Sequence, residues 1–304
     1  MKALTVIILS AGLLVSTITA SCKQSTFSGE SVKNNESGST KKKPQPISGD
    51  GPGGSNNSGF FGPQTTPTAK PEKSGKDDVG FATNDTGAIP TAPEPMYGVT
   101  ATALYSINPL SGIATMIGTF NGSNQIWDVA IDGKGKMFAV DSTTLYAVNP
   151  ITAKLTRIMD HGVKTICGLT VLSDGSMVLA GNGVYMIDAA TRTQRTLVPA
   201  GTYMTSGDII ALPDRKLYWS TVTGQGPRYD QLLVVNPDDG SVSLAGSIGV
   251  SQVLGLGYAA GKTYAFTVNG DISIISHTTG QIESKLSSNT RIPWTGAATN
   301  PVSW

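Results

Sequence analysis

After position 96 the chain repeats itself. A short apolar strand ending in a tight turn recurs five times: Leu104-Tyr-Ser-Ile-Asn108-Pro-Leu-Ser-Gly112, Leu145-Tyr-Ala-Val-Asn149-Pro-Ile-Thr-Ala153, Val184-Tyr-Met-Ile-Asp188-Ala-Ala-Thr-Arg192, Leu232-Leu-Val-Val-Asn236-Pro-Asp-Asp-Gly240 and the more divergent Ile272-Ser-Ile-Ile-Ser276-His-Thr-Thr-Gly280. Successive turn residues (108, 149, 188, 236, 276) lie 41, 39, 48 and 40 positions apart. A strand-and-turn unit of about 40 residues cannot bury its own apolar faces, and copies of it satisfy one another by radial stacking. The expected fold is therefore an all-β propeller.

Each repeat divides into four strands. The innermost opens at a recurring step, Trp127-Asp128-Val, Cys167-Gly168-Leu, Gly207-Asp208-Ile and Leu254-Gly255-Leu. A turn follows, such as Asp132-Gly-Lys-Gly135 or Ser173-Asp-Gly175, built from residues that favour tight reversals. The first repeat begins at Met96 without an inner strand, whereas the C-terminal stretch Trp294-Thr-Gly296-Ala-Ala-Thr-Asn300 supplies a spare one. The missing strand and the spare cancel. Five blades are expected, closed by a C-terminal strand in blade one, which removes exposed sheet edges. A sixth blade hidden in the preceding linker is the alternative count.

These repeats resemble the Leu-Tyr-x-Ile-Asn/Asp-Pro-x-Thr-Gly pattern of quinoprotein-like and NHL-like propellers, over residues 96–304. The resemblance implies a fold rather than a chemistry, because such propellers host hydrolases, dehydrogenase subunits and plain binding platforms.

The N-terminus addresses location. Met1-Lys2, an apolar run from Ala3 to Ile18 and then Thr19-Ala-Ser-Cys22 describe a secretory signal rather than a membrane span. The last four residues resemble a bacterial lipobox, with Thr19 where leucine is usual. The resemblance implies a signal peptide over 1–21 and a lipidated Cys22; ordinary cleavage or an uncleaved anchor are the alternatives. Lys23 after the cysteine implies outer-membrane sorting by the enteric rule. Residues 22–95 are rich in Ser, Gly, Asn, Pro and Lys with few large apolar groups, a composition expected to remain disordered. Such a tether spans roughly 45–50 Å r.m.s.. The second cysteine, Cys167, lies in the apolar stretch 165–171 and reads as a buried thiol, with no disulfide framework expected.

Residues 96–304 hold 13 Lys+Arg against 13 Asp+Glu, so the domain carries no electrostatic footprint of a nucleic-acid binder. In a propeller, the links between blades and the second-to-third-strand loops share one face. That face collects Asn121 to Gln125, Asp160-His161, Thr202-Tyr203, Ser251-Gln252, Arg291 to Trp294 and the one long insertion, Thr223 to Asp230. The opposite face receives standard turns. Candidate ligand-binding residues are thus Trp127, Asp128, Asp208, Arg228, Tyr229 and Trp294, with no catalytic residue, metal site or cofactor assigned. Asp128 and Asp208 sit at equivalent positions two blades apart. They read either as a metal site or acid/base pair at the channel mouth, or as acceptors for backbone N–H groups of neighbouring blades. His161 and His277 sort to opposite faces, which argues against a paired-His metal site.

Three functions compete. One is a monomeric, envelope-tethered platform that binds a protein or glycan through its loop face. Another is a glycoside or lactone hydrolase using channel-mouth carboxylates. The third is a structural envelope role. The first is the expectation carried forward.

Overall fold

The structure is a computed structural model and describes residues 95–298 except 123–124, 189, 223–228 and 288–290. The expected signal peptide and nearly all of the linker lie outside the described residues, as does Arg228. The described residues form twenty strands in five four-stranded antiparallel sheets.

Blade one contains β1 (Met96–Val99), β2 (Ala103–Ile107) and β3 (Ala114–Thr119). Blade two contains β4 (Asp128–Ile131), β5 (Met137–Val140), β6 (Thr144–Val148) and β7 (Leu155–Asp160). Blade three contains β8 (Gly168–Val171), β9 (Met177–Ala180), β10 (Val184–Ile187) and β11 (Gln194–Val198). Blade four contains β12 (Met204–Ala211), β13 (Leu217–Val222), β14 (Asp230–Val235) and β15 (Val242–Ser247). Blade five contains β16 (Val253–Ala259), β17 (Lys262–Thr267), β18 (Ile272–Ile275) and β19 (Ile282–Leu286). The last strand, β20 (Gly296–Ala298), returns to blade one and gives the order β20-β1-β2-β3. Its register, Tyr97↔Ala298 to Val99↔Gly296, supplies the inner strand that the first repeat lacks. This is a five-bladed propeller closed by its C-terminal strand.

Five apolar clusters hold the ring, one between each pair of neighbouring blades. Strand alternation explains how one blade serves two clusters. In β5, Met137 and Ala139 pack toward blade one, while Phe138 and Val140 pack toward blade three. The middle strands therefore read as continuous apolar runs, since both of their faces are covered. The outer strands β3, β7, β11, β15 and β19 are mostly exposed or half-buried.

The five repeated turns that reveal the fold share one geometry. The N–H of Gly112, Ala153, Arg192, Gly240 and Gly280 each donates to the carbonyl four residues earlier, at 2.7–3.0 Å. Each of these five residues has φ between +58° and +74°. Where the first turn residue is Asn108, its Oδ1 also accepts the N–H groups of Leu110 and Ser111, at 2.9 and 3.2 Å.

Candidate functional site

The sequence placed its candidates on one face and around the axis. The axis is built by one equivalent residue from each inner strand: Asp128 in β4, Gly168 in β8, Asp208 in β12, Gly255 in β16 and Gly296 in β20. Only two of the five carry a side chain, and sterics explain why. A Cβ on Gly168 would lie 2.8 Å from the amide nitrogen of Ile209, and one on Gly255 would lie 2.9 Å from the carbonyl carbon of Gly296. A Cβ on Gly296 would collide with Asp128 itself.

The two aspartates fill the remaining space and are completely enclosed. Asp128 in blade two accepts the N–H of Leu169 in blade three at 2.6 Å and that of Val129 at 2.8 Å. Asp208 in blade four accepts Leu256 of blade five and its own neighbour Ile209, both at 2.5 Å. Gly296, on the closing strand in blade one, packs against Asp128. Asp128 also lies within electrostatic reach of Asp208. Together they touch the inner strand of every blade. This is the clasp arrangement, with the carboxyls sealed rather than opening on a channel mouth.

Burial dominates their electrostatics. It holds the Asp128 carboxyl well above the usual range, and the neighbouring charge and hydrogen bond of Asp208 push it the same way. Burial also raises Asp208, to about 7, against the lowering effect of Asp128 and of its backbone N–H donors.

Further polar ties cross the blade interfaces. The Thr295 hydroxyl donates to the Ile126 carbonyl at 3.1 Å, and the Ala211 N–H donates to Thr170 Oγ1 at 3.0 Å. Asp230, which sequence reasoning passed over as the end of a loop, is buried, and its Oδ2 accepts the Val253 N–H at 2.7 Å. No local signal distinguishes it from an ordinary loop-closing aspartate.

One expectation needs correction. Trp294, placed among the ligand-binding residues, is fully buried in the cluster between blades five and one. Its ring meets Tyr105 and Phe266 edge-on, at centroid distances of 5.5 and 5.6 Å. The side-chain-free Gly98 leaves the room: a Cβ there would lie 2.9 Å from the indole. Cys167 is buried as expected. Trp127 is also largely buried, and its backbone N–H donates to the Val140 carbonyl at 2.9 Å.

On the loop face, Tyr229 is 50% and Met204 41% exposed. Thr165 and Gln252, both leading into inner strands, hold φ of 59° and 63°. For a β-branched residue such as Thr165 that is a strained conformation. His161 lies on this face but is buried. Its Nε2 contacts the Asp141 carbonyl at 3.2 Å, and its Nδ1 accepts the Val163 N–H at 3.2 Å. The ring nitrogens therefore meet backbone rather than the Asp141 carboxylate, so no His–Asp relay forms. That carboxylate instead accepts Thr143, Thr144 and Tyr146, and these bonds outweigh burial to lower its pKa. His277 sits on the turn face with its ring edge-on to Tyr218. Among the described residues no cluster of three or more His, Cys, Asp or Glu is arranged to hold a metal ion.

No protein-family model and no curated protein matches this chain. Among solved structures, one chain from the crystal structure of a nidogen/laminin complex is similar at 10% identity, covering 67% of this chain and 96% of that one, with a TM-score of 0.49. The assignment of five blades rests on the strand order.

Proposed function

We propose that this propeller is a binding platform, tethered to the bacterial envelope, that engages a protein or glycan through the face bearing the inter-blade links and the 223–229 insertion. The observation that carries the reading is the difference between the two faces. One face repeats the same hydrogen-bonded turn five times. The other varies in every blade and exposes Tyr229 and Met204. Variable loops on a rigid scaffold are where recognition concentrates. The hydrolase alternative draws less support, because Asp128 and Asp208 are enclosed and occupied with backbone N–H groups.

The test is capture of a defined ligand from envelope fractions by the full chain. Changing Arg228 and Tyr229 to Ala abolishes capture if the reading is right, whereas changing Leu110 and Ile151 on the turn face leaves it intact. Equal loss in both variants overturns it.

The proposed tether is a lipid thioether on Cys22. The chain has two cysteines, and one sulfur cannot bear both a lipid and a disulfide. A non-reducing peptide map that finds a lipid-modified Cys22 peptide supports the anchor. A Cys22 peptide linked to Cys167 removes the anchor and leaves the binding face untouched.

A further inference from the structure

We propose that the sector of the turn face where the chain enters the ring docks on an anionic lipid bilayer, so that the loop face points away from the membrane. The inference rests on the reading of this chain as envelope-tethered and adds an orientation to it. Strand register fixes the entry point. Met96, the first residue of β1, pairs with Ile107, which leads directly into the Asn108–Gly112 turn. The chain preceding Met96 therefore joins the ring on the turn face, opposite the face bearing the 223–229 insertion. A tether of roughly 45–50 Å r.m.s. does not orient a domain by itself. It does hold the ring at high effective concentration beside the bilayer, so a weak patch is enough to set the orientation.

The five equivalent turns reveal the patch. All share one backbone geometry, with the same bond from the fifth residue to the first. Their third residues are Leu110, Ile151, Ala190, Asp238 and Thr278. Since Asp and Thr serve there equally well, the backbone has no need of a large apolar group. Leu110 and Ile151 are nevertheless 81% and 62% exposed. They belong to neighbouring blades one and two, at the entry point, and Ile113 beside Leu110 is exposed as well. Both turns are firmly seated. Tyr264 of blade five donates to the Pro109 carbonyl at 3.2 Å, and a Cβ on Gly118 of blade one would lie 2.9 Å from the Thr152 carbonyl oxygen. The apolar tips are thus held outward by an ordered backbone, which lowers the cost of binding.

Charge follows the same division. The turns of blades five, one and two (260–262, 276–281, 108–113, 132–136 and 149–154) carry Lys134, Lys136, Lys154 and Lys262 against Asp132 alone. Those of blades three and four (173–176, 188–193, 213–216 and 236–241) carry three basic residues against five aspartates. Apolar tips ringed by lysines match the chemistry of an anionic bilayer, whose headgroup phosphates take the ammonium groups while the acyl boundary takes the leucine and isoleucine. The acidic sector is repelled from the same surface.

The test is oxidative footprinting of the full chain at low salt, on vesicles of phosphatidylcholine alone and of phosphatidylcholine mixed with phosphatidylglycerol. On the mixed vesicles, labelling of Leu110 and Ile151 should fall by about fivefold relative to the neutral ones, while Tyr229 and Met204 label equally on both. Changing Lys154 and Lys262 together to Gln should restore most of that labelling, since each lysine near an anionic surface contributes roughly fivefold to binding. Both lysines are exposed, so the variant keeps its fold. Equal labelling of Leu110 and Ile151 on the two vesicle types, protection that persists in the lysine variant, or protection of Tyr229 in their place would each overturn the docking surface. Failure of the tether reads separately: a chain that does not float with neutral vesicles lacks the anchor, and its labelling on the mixed vesicles still decides the docking.

Discussion

The axis and the turn face use the same side chain to opposite ends. At the axis, Asp128 and Asp208 lie out of reach of water, and burial raises both of their pKa values. On the turn face, Asp188 is partly open to solvent and Asp239 exposed, and hydrogen bonds from Thr191 and Ser241 lower theirs. Each aspartate accepts backbone N–H groups. What differs is whether solvent shares the charge. A turn aspartate shapes its own five residues, whereas an axial aspartate joins strands more than 40 positions apart.

That contrast ranks the perturbations. Ending the chain before Trp294 removes β20 and the indole together, leaves blade one without its inner strand, and should abolish cooperative unfolding in calorimetry; a retained sharp transition would mean that β20 is dispensable. Trp294→Ala alone should cost about 3–5 kcal/mol, as for other large buried aromatics. Asp208→Ala leaves the buried N–H groups of Ile209 and Leu256 without their acceptor and should cost a similar amount, roughly 3–5 kcal/mol by denaturant titration. A loss below about 1 kcal/mol would show that the axis tolerates water. Asp188→Asn keeps an acceptor in an exposed turn and should leave the melting temperature within error.

The pH profile sharpens the same comparison. His161 has its pKa lowered by burial, so its contribution is lost as pH falls below its ordinary value near 6.5. Asp141, whose pKa is lowered by hydrogen bonds, withdraws support in stronger acid, below about 4. The axial pair acts in the reverse direction. Wild-type stability should therefore peak between these regimes, and Asp128→Asn should flatten only the alkaline side.

Much of this architecture was legible because it is local. The Asn-Pro-x-x-Gly turns announce themselves through side-chain acceptors and a position that needs positive φ, and counting inner strands located the closing strand at Gly296. The positions of Asp128 and Asp208, and their bonds to neighbouring blades, also followed from repeat alignment. Their closeness did not, since it depends on how closely five inner strands approach when three of them carry glycine at this position. Trp294 was misplaced for a related reason. An aromatic residue at the end of a loop faces ligand or core according to the room beneath it, and that room is made by Gly98, nearly 200 positions earlier. Asp230 looked like the end of an insertion, and only the fold brings Val253 to it.

The account separates a structural axis from a functional loop face, and paired melting and binding measurements on Asp208→Asn and Tyr229→Ala test that separation most directly. Asp208→Asn should lower the melting temperature while the folded fraction keeps its ligand affinity, and Tyr229→Ala should weaken binding with melting unchanged. If Asp208→Asn instead abolished binding at unaltered stability, the axis would be the site and the division proposed for this propeller would be wrong.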